Sequence, residues 1–342
     1  YSEAPVRDEV ESIPVYYPRY LTYPRAWSFA SSGERMYKGI REIVSQIRRD
    51  FHFDLIHAHV ALPDGYAASI LAEEYGCPLV VTIHGYDFQK LVHRDLSCRK
   101  AIGLTIAKAS SVFPVSSKLQ KIGKEIFPES EGKFFVTPNG INPDDFNYPV
   151  PVSDSKLANG PKILSVSNLI YSKGIDLNIW AIHVLKEKYP DITYFIIGDG
   201  YHRKKLQRLT ERLELENAVS FLGNVEHKEV FRNMSECDIF SLPSWNEAFG
   251  VVYIEAMACG KPVIGCLGEG IEDFVENGVN GLLVEPHNVD DLVEKLDYLL
   301  SHTEEAKKMG EKARELVLEK YTWENNAKQT IKVYQESLAK QP

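Results

Sequence analysis

The chain has 342 residues, 44% of them hydrophobic, enough for the cores of two domains. A formal net charge of −9 argues against a general nucleic-acid binder, and no apolar run is long enough to span a membrane as a helix. No charged-then-apolar leader opens at Tyr1, and since Tyr1 is not a methionine the sequence is expected to begin downstream of its translation start. The five cysteines, Cys77, Cys98, Cys237, Cys259 and Cys266, are odd in number and lack metal-site spacing, which points to a reducing, cytoplasmic compartment and to plain core or surface thiols.

In chain order, residues 1–33 are rich in Tyr and Pro and read as a short strand followed by an irregular loop. From Glu34 to Phe51, Met36, Ile40, Ile43, Val44 and Ile47 recur at helical spacing. Residues 54–59 (D-L-I-H-A-H) read as a buried strand, Ala67 to Tyr75 as a helix and 78–83 (P-L-V-V-T-I) as the next strand, with His84-Gly85-Tyr86-Asp87 leaving its carboxyl end. Such alternation implies a parallel sheet, and ligands of parallel sheets gather at the carboxyl ends of the strands. Further strands are expected at 112–115 and 134–137, the second running into the loop Pro138-Asn139-Gly140. Arg99, Lys100, Lys108, Lys118, Lys121 and Lys124 crowd one short helical region with Ile102, Leu104, Ile106 and Ile122 between them. That region reads either as a solvated helix surface or as a face for anionic lipid headgroups. Residues 1–150 hold 17 basic and 18 acidic side chains against 22 and 30 in the remainder, so the first half is nearly neutral.

The polar, turn-rich run from Val150 to Pro161 is the expected domain boundary. A second alternating series follows: strands at 162–167, 193–198 and 219–222, with helices at 174–189 and 204–215 between them. Residues 238–242 read as a buried strand, 243–246 as the loop at its carboxyl end and 249–258 as a buried helix stopped by Gly260 and Pro262, with a strand at 262–266. The last helix, 323–338, shows apolar spacing at Ile331, Val333, Tyr334 and Leu338. Two doubly wound α/β domains with a cleft between them are the economical arrangement.

Two carboxylates stand out. Glu255 sits in an apolar helix, eight residues after Glu247, and a buried carboxylate needs a cation, donors or a ligand. A diol such as a ribose or a sugar ring offers paired hydroxyl donors. The N–H groups of Phe249, Gly250 and Val251, at the positive end of the helix dipole, suit an anion such as a diphosphate, which the bare Gly250 lets approach. His84, at a strand's carboxyl end, reads equally as a ligand group or a structural histidine, while His57 and His59 on the preceding strand read as structural. Gly198-Asp199-Gly200 is a weak phosphate-loop signal, lacking a third glycine.

The run from Glu247 to Ile264, E-A-F-G-V-V-Y-I-E-A-M-A-C-G-K-P-V-I, resembles the Glu-x7-Glu signature of retaining glycosyltransferases of family four, which have the GT-B fold. The resemblance covers the chain from about Asp54 to its end. It implies an α/β fold of two Rossmann-like, doubly wound domains facing a central cleft. Residues 1–153 would form the acceptor-side domain, completed by the helix at 324–342, and 161–322 the nucleotide-sugar domain. By motif, Glu255 would hold the ribose, Glu247 the hydroxyls of the transferred sugar, and the N–H groups of Phe249, Gly250 and Val251 the diphosphate. Lys173 falls where the family has a diphosphate-binding lysine, but Asn168 stands in place of the expected arginine and brings no charge. The loop at Gly200 would border the nucleotide, the segment at Val225 would read the base, and His84 would face the transferred sugar. Nothing between Tyr1 and Arg49 resembles the strand, glycine-rich loop and helix with which the family begins, so that unit is expected to be missing from the sequence.

The implied activity is retaining transfer of a hexose-type sugar from a nucleoside-diphosphate donor, expected to be UDP-linked, to a hydroxyl of a lipid-linked or glycan acceptor in polysaccharide or cell-envelope synthesis. His84 and Glu247 would be the catalytic pair, and Lys173 with the helix start would stabilise the departing diphosphate. No metal or other cofactor is expected. Partners would be the nucleotide sugar, the acceptor and the inner face of an anionic membrane. A nucleotide-sugar epimerase of the same fold, or a non-catalytic sugar-nucleotide-binding subunit, are the alternatives.

Overall fold

A computed structural model describes residues 5–23, 28–146 and 160–340. The chain divides into two compact units, Tyr1–Thr137 with Gln329–Pro342, and Pro138–Lys328. The boundary expected within 150–161 lies outside the described residues except for Gly160 and Pro161.

The first unit opens with an antiparallel hairpin of β1 (Arg7–Val10) and β2 (Ile13–Tyr16), where one strand and a loop were expected. The reversal is made by Glu11 and Ser12, both at positive φ (50° and 68°), without the Gly or Asn that would mark such a turn in the sequence. The helix α1 (Ser32–Asp50) follows. A three-stranded parallel sheet in the order β3-β4-β5 comes next, from β3 (Ile56–His59), β4 (Leu79–Ile83) and β5 (Ser111–Pro114). All five residues of β4 are buried, as expected of a central parallel strand covered on both faces. Helices α2 (Tyr66–Tyr75), α3 (Val92–Arg94), α4 (Leu96–Lys108) and α5 (Ser117–Ile126) connect and follow the strands. Asp95 and Ser116 cap α4 and α5 by accepting the N–H of Cys98 at 2.7 Å and of Leu119 at 3.3 Å.

Two expectations for this unit are corrected. Residues 134–137 form no regular strand: Phe134 bridges Val112, and the N–H groups of Phe135 and Thr137 reach the carbonyls of Val112 and Pro114, but Pro114 has no N–H to donate in return. The basic residues at 99–124 do not share one helical region, because β5 separates α4 from α5. Ile102 and Ile106 are fully buried in the core, leaving Leu104 and Leu96 as the exposed apolar residues of α4.

The second unit carries a six-stranded parallel sheet in the order β11-β10-β9-β6-β7-β8. Its strands are β6 (Lys162–Val166), β7 (Thr193–Ile197), β8 (Val219–Gly223), β9 (Ile239–Ser241), β10 (Val263–Cys266) and β11 (Leu282–Val284). Helices α6 (Ile175–Leu185), α7 (Arg203–Arg212), α8 (His227–Glu236) and α9 (Val251–Ala258) link the strands, and α10 (Val289–Ser301) and α11 (Thr303–Lys320) follow β11. The chain runs outward from β6 through β7 and β8, then returns to the other side of β6 with β9, so the order reverses between β6 and β9. In open α/β sheets that switch point is where ligands bind. Helix α12 (Trp323–Ala339) begins in the second unit and ends in the first, where the Ser337 hydroxyl lies 3.1 Å from that of Ser111.

A buried polar knot sits under the switch point. Asn178 on α6, fully buried, donates to the hydroxyls of Ser165 (3.2 Å) and Tyr194 (3.1 Å) and to the carbonyl of Ser241 (3.0 Å). Its own side-chain oxygen accepts the Ser241 hydroxyl at 2.7 Å. Every polar group of the knot is used, so it ties β6, β7, β9 and α6 together without leaving a buried donor or acceptor unpaired.

Candidate active site

The loops leaving β6 and β9 meet at the switch point. Lys173 ends the 3-10 turn after β6, and Gly174, at φ 65°, starts α6 where a Cβ would lie 2.3 Å from the carbonyl of Pro243. This close approach brings the β9 loop alongside, and the N–H of Trp245 donates to the carbonyl of Ser172 at 2.9 Å. The Lys173 ammonium therefore reaches the Glu247 carboxylate at 2.6 Å, with the two side chains 22% and 12% exposed. The Ser244 hydroxyl donates to the same Glu247 oxygen at 3.0 Å, while the Glu247 backbone N–H donates to Glu269 at 2.6 Å. Glu247 is thus fixed at both ends. Ser244 and Glu269 were not singled out from the sequence; Glu269 comes from the loop after β10, and only the glycines on either side of it hinted at a constrained turn.

The helix start is built for an approaching group. α9 begins at Val251, with Gly250 as its cap at φ 89°, a left-handed conformation in which a Cβ would lie 2.5 Å from the Tyr253 ring. Phe249, expected as the first helical residue, precedes the helix, and its side chain is buried against Phe274. Neither Phe249 nor Gly250 donates a backbone hydrogen bond among the described residues, and Val251 heads the helix, where no intrahelical acceptor exists. Three N–H groups are left at the positive end of α9, the ones the sequence singled out.

One turn further along α9, Glu255 is 15% exposed and its Oε1 lies 3.2 Å from Nε2 of His227, the first residue of α8, which is 65% exposed. Burial raises the Glu255 pKa, and the His227 contact pulls against it. The His227 ring packs on Phe231 with centroids 4.2 Å apart, and Phe231 on Phe146 at 4.5 Å. His227 carried no signal in the sequence, since a histidine opening an amphipathic helix is ordinary.

Asn168 is exposed on the loop after β6, and its side chain makes no hydrogen bond among the described residues. Gly198 and Gly200 have a packing cause. A Cβ on Gly198 would lie 1.9 Å from the carbonyl of Ser167, and one on Gly200 2.5 Å from that of Leu169, because the β6 and β7 loops are hydrogen-bonded through Leu169 and Asp199 at 2.9 Å. Val225 is half-buried in the loop after β8. His84 belongs to the first unit, exposed at the carboxyl end of β4, with Nε2 2.9 Å from Nδ1 of His59. No group of three or more His, Cys, Asp or Glu side chains is placed to hold a metal ion among the described residues, and no described helix is long and apolar enough to cross a membrane.

The fold and its parallel sheets define a GT-B glycosyltransferase class. The structure matches the sucrose-phosphate synthase of Thermosynechococcus elongatus with a TM-score of 0.83 at 22% identity, covering 98% of this chain and 86% of that one. It also matches Anabaena HepE in complex with UDP, with a TM-score of 0.76 at 23% identity, covering 87% and 82%. The model for glycosyl transferases group 1 matches residues 153–316 and that for glycosyltransferase family 4 matches residues 2–145. An uncharacterized glycosyltransferase of Methanocaldococcus jannaschii is 30% identical over 289 residues, 83% of this chain and 75% of the relative. The chain belongs to the group 1 glycosyltransferase family.

Proposed function

We propose that the protein is a retaining glycosyltransferase using a nucleoside-diphosphate sugar, with its donor site at the switch point of the second unit. The observation that carries this reading is the cluster there: Lys173 paired with Glu247 at 2.6 Å, three undirected N–H groups at Phe249, Gly250 and Val251, and the shielded Glu255 carboxylate on the same helix. Glu255 accepts from the two ribose hydroxyls, displacing His227. The N–H groups and Lys173 take the diphosphate, and Glu247 takes hydroxyls of the transferred sugar. Asn168, Gly200 and Val225 line the nucleotide, Asn168 offering a neutral donor where a charged one would bind more strongly.

Charge that develops on the diphosphate oxygen as the glycosidic bond breaks is met by Lys173 and by the dipole of α9, both in place before reaction. The acceptor hydroxyl enters on the face the diphosphate leaves; Glu247 holds the sugar for that step, and His84 is the other residue assigned to it. These fixed positive groups make a bound metal unnecessary. HepE, the Anabaena neighbour, is described with UDP-glucose, which supports a UDP-linked donor. A lipid-linked or oligosaccharide acceptor completes this reading.

Incubating the protein with UDP-, GDP- and ADP-sugars and following the anomeric proton by NMR tests the reading. Transfer or hydrolysis with the donor's anomeric configuration retained is expected, in EDTA as without it. Inverted configuration overturns the retaining assignment, and interconversion of the sugar itself would mark an epimerase.

A further inference from the structure

In the first unit a row of three histidine rings runs from the core to the surface. His57 and His59 are two residues apart on β3 and so share a face of the sheet. Their rings stack at 4.7 Å with a 22° tilt, and the His59 ring lies nearly parallel to that of His84, at 5.2 Å and 16°. The inner end is anchored at both nitrogens: Nδ1 of His57 to the Tyr334 hydroxyl of α12, and Nε2 to the Thr82 hydroxyl at 2.7 Å. At the outer end Nδ1 of His59 lies 2.9 Å from Nε2 of His84. Among the described residues no hydrogen bond is made by Nδ1 of His84.

We infer that His59 is a positioning residue for His84, engaging Nε2 so that the two rings take complementary tautomers and Nδ1 alone of His84 is left to face a ligand. A neutral imidazole has one donor and one acceptor nitrogen, so a nitrogen-to-nitrogen contact forces complementary tautomers on the two rings. Burial and the crowding of the row disfavour the charged forms: burial first, then His59 and His84, hold His57 down to about 4, burial lowers His59, and burial followed by His59 lowers His84. The contact is therefore a neutral N–H···N bond at neutral pH. Stacking on the anchored His57 fixes the plane of His59, and His59 in turn fixes that of His84.

This inference rests on the assignment of His84 to the transferred sugar. His59→Phe keeps a stacked ring and removes both nitrogens, which separates positioning from packing. Two-bond proton–nitrogen spectra of the imidazoles at pH 8 should show His59 and His84 with matching Nδ1–H fractions in the wild type, and a changed His84 fraction in H59F. Turnover of UDP-glucose should fall about tenfold to a hundredfold in H59F, with KM for the donor within about twofold, since misplacing a reacting group costs rate more than binding. Unmatched tautomer fractions of His59 and His84 in the wild type, or H59F with the wild-type His84 tautomers and full turnover, overturns the inference. Failure of the assignment it rests on reads differently: His84→Ala would then retain full turnover, whatever H59F does.

Discussion

Asp87 accepts the N–H groups of Ala61 and Leu62 (3.0 and 3.4 Å) through Oδ1, while its Oδ2 is buried with no partner. Burial outweighs those two donors and pushes its pKa up to about 6. The folded state then holds the proton more tightly than the unfolded chain, whose Asp titrates near about 4. The resulting stability is fully present below pH ~4 and is lost as pH rises through about 6. His57 acts the other way, its stability present above pH ~6.5 and lost as pH falls toward about 4. Asp87→Asn removes only the first effect, so the melting temperature of the variant should fall less than that of the wild type between pH 4 and 7, read by calorimetry; parallel curves would refute the buried-proton account. Lys173 offers a second test. Removing it leaves a carboxylate that is only 12% exposed without its cation, so Lys173→Ala should cost about 2 kcal/mol of stability and most of the turnover. Adding Glu247→Gln should return the stability but not the turnover; recovery of both would reduce the pair to a structural ion pair.

At the scale of elements, the polar knot beneath the switch point decides whether β6, β9 and α6 hold the loops in register. Asn178→Ala leaves the Ser241 hydroxyl without its acceptor in a fully buried place, while Ser165 and Tyr194 keep their hydroxyl contact at 2.7 Å, and should cost about 1–3 kcal/mol in urea unfolding. A cost below about 1 kcal/mol would mean that water replaces the amide. Gly250→Ala should disturb α9 directly, through both φ 89° and the Tyr253 ring, and lower nucleotide affinity at least tenfold; an unaffected affinity would show that the helix start is not where the diphosphate lies. Elements with a strong period were legible in the sequence, and α1, α2, β4, β6 and β7 sit within a few residues of their expected positions. What stayed hidden lacked a local cause. The β1–β2 reversal uses Glu11 and Ser12, the 134–137 segment fails as a strand because of a proline on its neighbour, and the basic residues divide because β5 falls between them. Glu255 could be found because a carboxylate in an apolar helix is conspicuous, and Glu247 because it opens the Glu-x7-Glu run. Their partners Glu269 and His227 could not, because each arrives from another loop or helix.

For the molecule as a whole, α12 ties the two units into one chain path, starting in the second and finishing against β3 and β5 of the first through Tyr334 and Ser337. The second unit contains Lys173, Glu247, Phe249, Gly250, Val251 and Glu255, and the first contains His84. Calorimetric titration of UDP, GDP and ADP into the full chain and into Glu255→Gln tests the donor-site assignment most directly. One of the three should bind the wild type, and E255Q, which exchanges a charge-assisted pair of hydrogen bonds to the ribose for weaker ones, should bind it about tenfold to a hundredfold more weakly with an unchanged melting temperature. Equal affinity in the two proteins, or no binding of any of the three nucleotides to the wild type, would contradict it.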